Sequence, residues 1–357
     1  MKNLFQKIKG FTIVNKKTIT YIGATTLLIL IGYLGYRLWM TREVRSLNSL
    51  AVLMDSGQYD KAEKDLRALI AGDTNNTRPY LLLAALEIEK LARSRHKAKD
   101  SKEIFATLDK VDKLAKNSES KRLRAMASYI MHRDFNAKKY AQEAINIDIN
   151  NDKAWSLLGL LAEKSENYKL AEKYYNASYK KSRNSVEAML GQARVLWQSG
   201  DKNKALAKAS EAIKVATKRL EKAKAYYTSG HFNSSNHDYD KAILDLRASV
   251  SLSSNDYAVR GELANALYMS YVITDIAKRN SLVLDEALSH ALASIKLNPV
   301  YSYGYYFAGK IYAITRNKEA AKNYFEASLK YATKAIESKD FITRINKELK
   351  DLGVKNK

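Results

Sequence analysis

The stretch YYFAGKIYAITRNKEAAKNYFEASL, residues 305–329, sets rings at Tyr305, Tyr312 and Phe325 beside very small residues at Gly309, Ala321 and Ser328. At 3.6 residues per turn, Tyr305, Ala308, Gly309 and Tyr312 share one helical face, and Ala321, Phe325 and Ser328 share another. The polar segment TRNKE between the two faces reads as a turn. A glycine at a contact lets a second backbone come close, and a nearby ring fills the wider gap on either side. The stretch therefore predicts an antiparallel pair of helices.

The pair recurs. With Ala321 as a marker, the same local apolar pattern follows at Ala287, Ala242, Ala205, Ala171, Ala137, Ile104 and Ala62. Read backwards, the intervals are 34, 45, 37, 34, 34, 33 and 42 residues, and the three long ones exceed 34 by 11, 3 and 8. A fixed period of this size marks a repeat array, with insertions expected in the turns between helices.

These repeats resemble the tetratricopeptide family, whose 34-residue helix-turn-helix unit carries W-x2-L-G-x2-Y, then A-x3-F, then P. The best copies are Trp155, Leu158, Gly159, Tyr168, Ala171, Tyr175 and Ser178, and Tyr305, Gly309, Tyr312, Ala321, Phe325 and Ser328. Pro299 matches a closing proline. Other copies depart from the pattern: Ser49 and Leu50 stand where Leu-Gly is expected, Ile104 replaces the alanine of the second helix, and most closing prolines are missing. The resemblance implies an all-α solenoid of about eight helix-turn-helix units over residues 43–335, with the second and seventh least regular in register. Composition agrees independently, because 2 prolines and 14 glycines in 357 residues suit an almost wholly helical chain. Such units stack because a single pair cannot bury its apolar face alone, and the array needs a cap. The tail SKDFITRINKELKDLG offers one, with Phe341, Ile345, Leu349 and Leu352 on one stripe.

The opposite end of the chain differs in character. Residues 18–36, TITYIGATTLLILIGYLGY, carry no charge for 19 residues, a length matching the apolar thickness of a bilayer. Tyr33, Tyr36 and Trp39 stand near the far interface, where such rings collect. A single transmembrane helix at 18–40 is expected; the apolar run exceeds a signal peptide's core, no small-x-small cleavage site follows, and no cysteine is available for a lipid. Lys2, Lys7, Lys9, Lys16 and Lys17 precede it, against Arg37, Arg42 and Arg45 after it, which places the tail 1–17 in the cytoplasm and the repeats outside. The expected organisation is a basic cytoplasmic tail at 1–17, the span at 18–40, the array at 41–335 and a capping helix and tail at 336–357. In a bacterium this makes a single-pass inner-membrane protein with a periplasmic array.

The net charge is +23. Nucleic acid is disfavoured as the partner, since the charges are scattered over most repeats and no arginine-rich arm or aromatic RNA-binding signature is present. Anionic lipid, acidic envelope polymers and an acidic protein partner all match the excess, as does a compositional bias towards lysine. The histidines, His96, His132, His231, His237 and His290, lack metal-ligand spacing. His231 and His237 in GHFNSSNHDYD read as part of a three-residue insertion at a solvated turn. No nucleophile elbow, phosphate loop or cysteine nucleophile is present, so no catalytic residue, cofactor or metal is expected.

Binding is the default for such a repeat. The resemblance implies a concave groove lined by positions 2, 5, 9 and 12 of each first helix, which here are Glu187, Leu190, Arg194 and Trp197; Lys224, Tyr227 and His231; and Tyr303, Tyr306 and Lys310. Of these, Arg194, Trp197, Tyr227, His231, Tyr303, Tyr306 and Lys310 are the expected protein-binding residues, rich in the types that anchor interfaces. The carboxylate clamp of chaperone-docking arrays is missing, because the fifth and ninth positions read Ser156 and Leu160, Leu190 and Arg194, then Tyr227 and His231. The expected function is a membrane-anchored scaffold that assembles a secretion, pilus, flagellar or other envelope machine; the alternative is a cytosol-facing receptor or co-chaperone that docks chaperones or their clients.

Overall fold

The computed structural model describes residues 49–50, 52–54, 58–93, 97–335 and 337–353. The chain divides into two compact units, residues 1–73 and 74–357. The first unit contributes α1 (Tyr59–Gly72), whose Ala62 and Leu66 are buried. Among the described residues no helix is long and apolar enough to cross a membrane. The expected span at 18–40 lies outside the described residues.

The second unit is a run of antiparallel helix pairs. They are α2 (Thr77–Arg93) with α3 (Lys97–Leu114), α4 (Ser118–Ile130) with α5 (Asp134–Ile147), and α6 (Asp152–Lys164) with α7 (Tyr168–Lys181). Then come α8 (Val186–Gln198) with α9 (Lys202–Val215), α10 (Arg219–Ser235) with α11 (Tyr239–Leu252), α12 (Tyr257–Ile273) with α13 (Ser281–Leu297), and α14 (Ser302–Ile314) with α15 (Lys318–Ala335). A last helix, α16 (Lys339–Asp351), packs on α15 and buries Phe341, Ile345 and Leu349.

Each marker from Ile104 onward lands on the second helix of its pair, Ala62 lies on α1, and all are buried, Ile104 at 1% exposure and the alanines at 0%. The small residues admit the rings set opposite them. A Cβ on Gly309 would stand 2.7 Å from the Phe325 ring, and one on Gly159 would stand 2.7 Å from the Tyr175 ring. Tyr175 is wedged further against Gly191 of the following pair, so one ring couples two repeats. Tyr305 and Tyr312 both pack on Tyr324, at 6.2 and 5.3 Å between centroids.

Two local devices repeat with the period. The turn between the helices of a pair passes through a left-handed residue at His132, Glu166, Gly200, His237 and Arg316. Only one of these is glycine, and the others carry a modest strain that the flanking helices hold in place. The second device is a buried serine on the second helix that donates to a carbonyl near the start of the first helix. Ser178 bonds the Asp152 carbonyl at 2.8 Å, Ser249 that of Ala223 at 2.8 Å, and Ser328 that of Ser302 at 2.9 Å. Replacing Ser249 by alanine is expected to cost about 1 kcal/mol, read as a lowered urea midpoint with unchanged slope.

The insertions do not sit where the sequence period placed them. The extra residues of the sixth unit lengthen α10 to 17 residues, against 13 for α8, so His231 lies inside a helix and only His237 is in the turn. The eleven-residue excess of the seventh unit divides among a 17-residue α12, a 17-residue α13 and the connection between them, which holds a short 3-10 turn at Ile276–Lys278. Arg279 fixes that connection by donating to the Thr274 carbonyl at 3.0 Å and the Val272 carbonyl at 2.8 Å. A helix lengthens at low cost because each added residue contributes its own backbone bond.

Candidate functional site

The first helices α10, α12 and α14 present one face together, and α16 closes its end. Between them lies an open pocket of about 560 Å³. Its floor is a stripe of α12, Glu262, Asn265, Tyr268, Met269 and Val272, which recur at the spacing of one helical face. Tyr303, Tyr306, Phe307 and Lys310 form one wall, His231, Ser234 and Ser235 the other, and Phe341 and Arg344 of α16 the end. Tyr303 stacks on Phe341 at 4.0 Å and Tyr306 meets the same ring edge-on at 5.4 Å. Burial raises the pKa of both phenols, so their hydroxyls stay protonated and can donate.

The charges in the pocket are mostly paired. Lys310 Nζ donates to Glu348 Oε1 at 2.7 Å. Burial opposes the Lys310 charge, but that carboxylate outweighs it and raises the pKa. His231 Nδ1 lies 3.4 Å from Glu262 Oε1, and this hydrogen bond raises the imidazole pKa against the opposing effect of burial. Arg344 is exposed, lies 5.6 Å from the Phe341 centroid, and forms no ion pair with another described residue. The arrangement can therefore grip a partner by apolar and ring contacts, with Arg344 and Asn265 as its accessible polar handles.

The His231 pair makes the pocket sensitive to pH. A folded-state pKa above the ordinary 6.5 means that protonated His231 stabilises the fold fully below 6.5, and that the contribution fades as pH rises through the raised value. An NMR titration is expected to place His231 above 6.5, and Glu262→Gln is expected to drop it below, since burial then acts alone.

Of the residues expected from sequence, His231, Tyr303, Tyr306 and Lys310 are brought together in this pocket. Leu190 is core, 5% exposed. Arg194 is spent internally: its Nε and Nη2 donate to Glu163 at 2.7 and 3.0 Å, and Nη2 also reaches the Tyr175 hydroxyl at 3.0 Å. Burial disfavours the Arg194 charge, but those two partners more than restore it and raise its pKa. Trp197 lies flat on Phe232 at 4.4 Å. Tyr227 packs on the core formed by α11 and α12 and lines a separate small crevice with Lys224, Val259 and Glu89. Glu262, Asn265 and Tyr268 were missing from the sequence expectation, because the lengthened α12 obscures the register of the seventh unit. Among the described residues no group of three or more metal-ligating side chains converges.

A helical solenoid with a side-chain-lined groove defines a class of repeat protein suited to holding other proteins. Residues 154–218 match one tetratricopeptide repeat family model, and residues 223–256 and 303–334 match another. The chain thus carries tetratricopeptide repeats. No curated protein matches the sequence. Among solved structures, the chain resembles the Cut9-Hcn1 hetero-tetramer of APC/C at 14% identity, with a TM-score of 0.60 over 80% of this chain and 52% of that one. It resembles the human IFIT1 dimer at 14% identity, with a TM-score of 0.55 over 78% of this chain and 66% of that one. Yeast Tom70 is similar at 14% identity, with a TM-score of 0.51 over 83% of this chain and 58% of that one. The chain spans between half and two thirds of the length of these three, and at such identities the likeness is one of fold.

Proposed function

We propose that this chain is a non-catalytic scaffold that holds a segment of a partner protein in the pocket formed by α10, α12, α14 and α16. In this reading the segment 18–40, uncharged over 18–36, anchors the chain in a membrane, the lysine-rich tail stays in the cytoplasm, and the array works outside it in assembling an envelope machine. The observation that carries the binding role is the pocket itself: the rings of Tyr239, Tyr268, Tyr303, Tyr306, Phe307 and Phe341 beside the accessible Arg344 and Asn265. Rings and arginine supply large contact area together with directional bonds. The lysine asymmetry about residues 18–36 supports the orientation.

The test is in-cell crosslinking of the full chain in its native membrane, with partners identified by mass spectrometry, compared with Arg344→Glu and Asn265→Asp. Subunits of one envelope machine, recovered by the parent chain and depleted by both variants, would support the reading. Equal recovery by the variants would remove the pocket from it. Cytosolic chaperones among the depleted partners would instead reverse the orientation and favour a cytosol-facing receptor.

A further inference from the structure

Among the described residues, 11 large hydrophobic side chains are exposed, and 6 of them fall within residues 273–300: Ile273, Ile276, Leu282, Leu292, Leu297 and Val300. This is the seventh unit, and the residues lie at the C-terminal end of α12, on α13 and in its two flanking connections rather than in the pocket. The exposed stripe of α13 runs Leu282, Asp285, Ser289, Leu292 and Lys296. At the matching positions α7 carries Lys169, Lys173, Asn176 and Lys180, where α13 carries Asp285, Ser289, Leu292 and Lys296. The α13 stripe carries one acid and one base, and neither Asp285 nor Lys296 forms an ion pair with another described residue.

A chain with a net charge of +23 repels its own copies over most of its surface. The seventh unit is locally balanced: Asp275 and Asp285 offset Lys278 and Lys296 among its exposed apolar residues. Asp285 and Lys296 stand equally far from the midpoint between Ser289 and Leu292, with Leu282 beyond the acid and Leu297 and Val300 beyond the base.

We propose that this face is a self-association surface whose partner is a second copy of this chain, with the two α13 helices antiparallel about a two-fold axis. A two-fold interface must be self-complementary, each residue finding its counterpart twice. In this pairing Asp285 of each copy faces Lys296 of the other, and Ser289 receives Leu292. Leu282 meets Leu297 and Val300, while Ile273 and Ile276 extend the apolar edge. Ser289 is small enough to let the helices approach closely. A helix of 17 residues is about 25 Å long, so the buried area lies at the low end for stable dimers and the association is reversible. The inference is independent of what occupies the groove.

Sedimentation velocity of the full chain in detergent, over a concentration series, tests it. A monomer-dimer equilibrium is expected. Asp285→Lys alone, or Lys296→Asp alone, converts both cross-copy pairs into like-charge contacts and is expected to weaken the dimer by about tenfold or more. The double swap, Asp285→Lys with Lys296→Asp, is expected to restore it, which a merely destabilised fold would not do. Circular dichroism matching the parent verifies that each variant is folded. A monomer at every concentration, a dimer indifferent to the single swaps, or single swaps that the double variant fails to rescue would each overturn the proposal.

Discussion

Phe325→Ala is expected to destabilise the C-terminal pairs by about 3–5 kcal/mol, the range for emptying a fully buried aromatic site. Phe325 is 0% exposed, and its ring fills the space that Gly309 leaves on α14. Alanine there opposes a glycine, so neither helix offers atoms to fill the void. The ring also stands 5.8 Å from Tyr306, which lines the pocket. Loss should therefore appear twice, as early melting of α14 to α16 in hydrogen exchange and as a loosened pocket wall. Because repeat arrays distribute stability over neighbours, exchange of α4 and α5 should stay near the parent's. Uniform loss across the array would show that the units unfold as one cooperative block.

The second large effect is expected at Glu163→Ala, about 2 kcal/mol, because Glu163 takes three hydrogen bonds while water reaches the Arg194 side chain, which is 33% exposed. Glu163 accepts from both Arg194 nitrogens and from the Tyr175 hydroxyl at 2.7 Å. The substitution leaves the guanidinium between α6 and α8 with the Tyr175 hydroxyl and water beside it. Removing one member of such a pair costs more than the pair's net worth, because the remaining charge keeps its desolvation penalty. The double variant Glu163→Ala with Arg194→Met should recover much of the loss. Urea unfolding of the two variants side by side measures the difference, and equal destabilisation would show that water fully replaces Glu163 around Arg194.

Those two sites also show what sequence can and cannot carry. The rings, glycines and marker alanines were legible, because the rule that pairs them is steric and strictly periodic: Phe325 with Gly309, Tyr175 with Gly159. Equal unit length was not what made a groove position legible, because His231, Tyr303, Tyr306 and Lys310 flank the longest unit. These four come together as their register implied. Arg194 and Trp197 occupy the same register and are consumed by Glu163 and Phe232, since a groove position states which way a side chain points and not what it meets. Glu262, Asn265 and Tyr268 were hidden because four added residues lengthen α12 without a mark in composition. Phe341 was legible as core of a capping helix; that the same helix brings Arg344 to the pocket depends on its packing angle, which no single-chain pattern encodes.

Four connections between pairs share one backbone bond: Asn151 N–H to the Asp148 carbonyl, Ser185 to Ser182, Asp256 to Ser253 and Tyr301 to Asn298. Identical joints make the chain's length adjustable in whole units. Excising residues 152–185 would join Asn151 to Val186 at a junction of the same kind, and duplicating them would insert one more. A lineage carrying this gene could therefore lengthen or shorten the reach of the array by slippage in steps of one unit, leaving the C-terminal pocket and its capping helix intact.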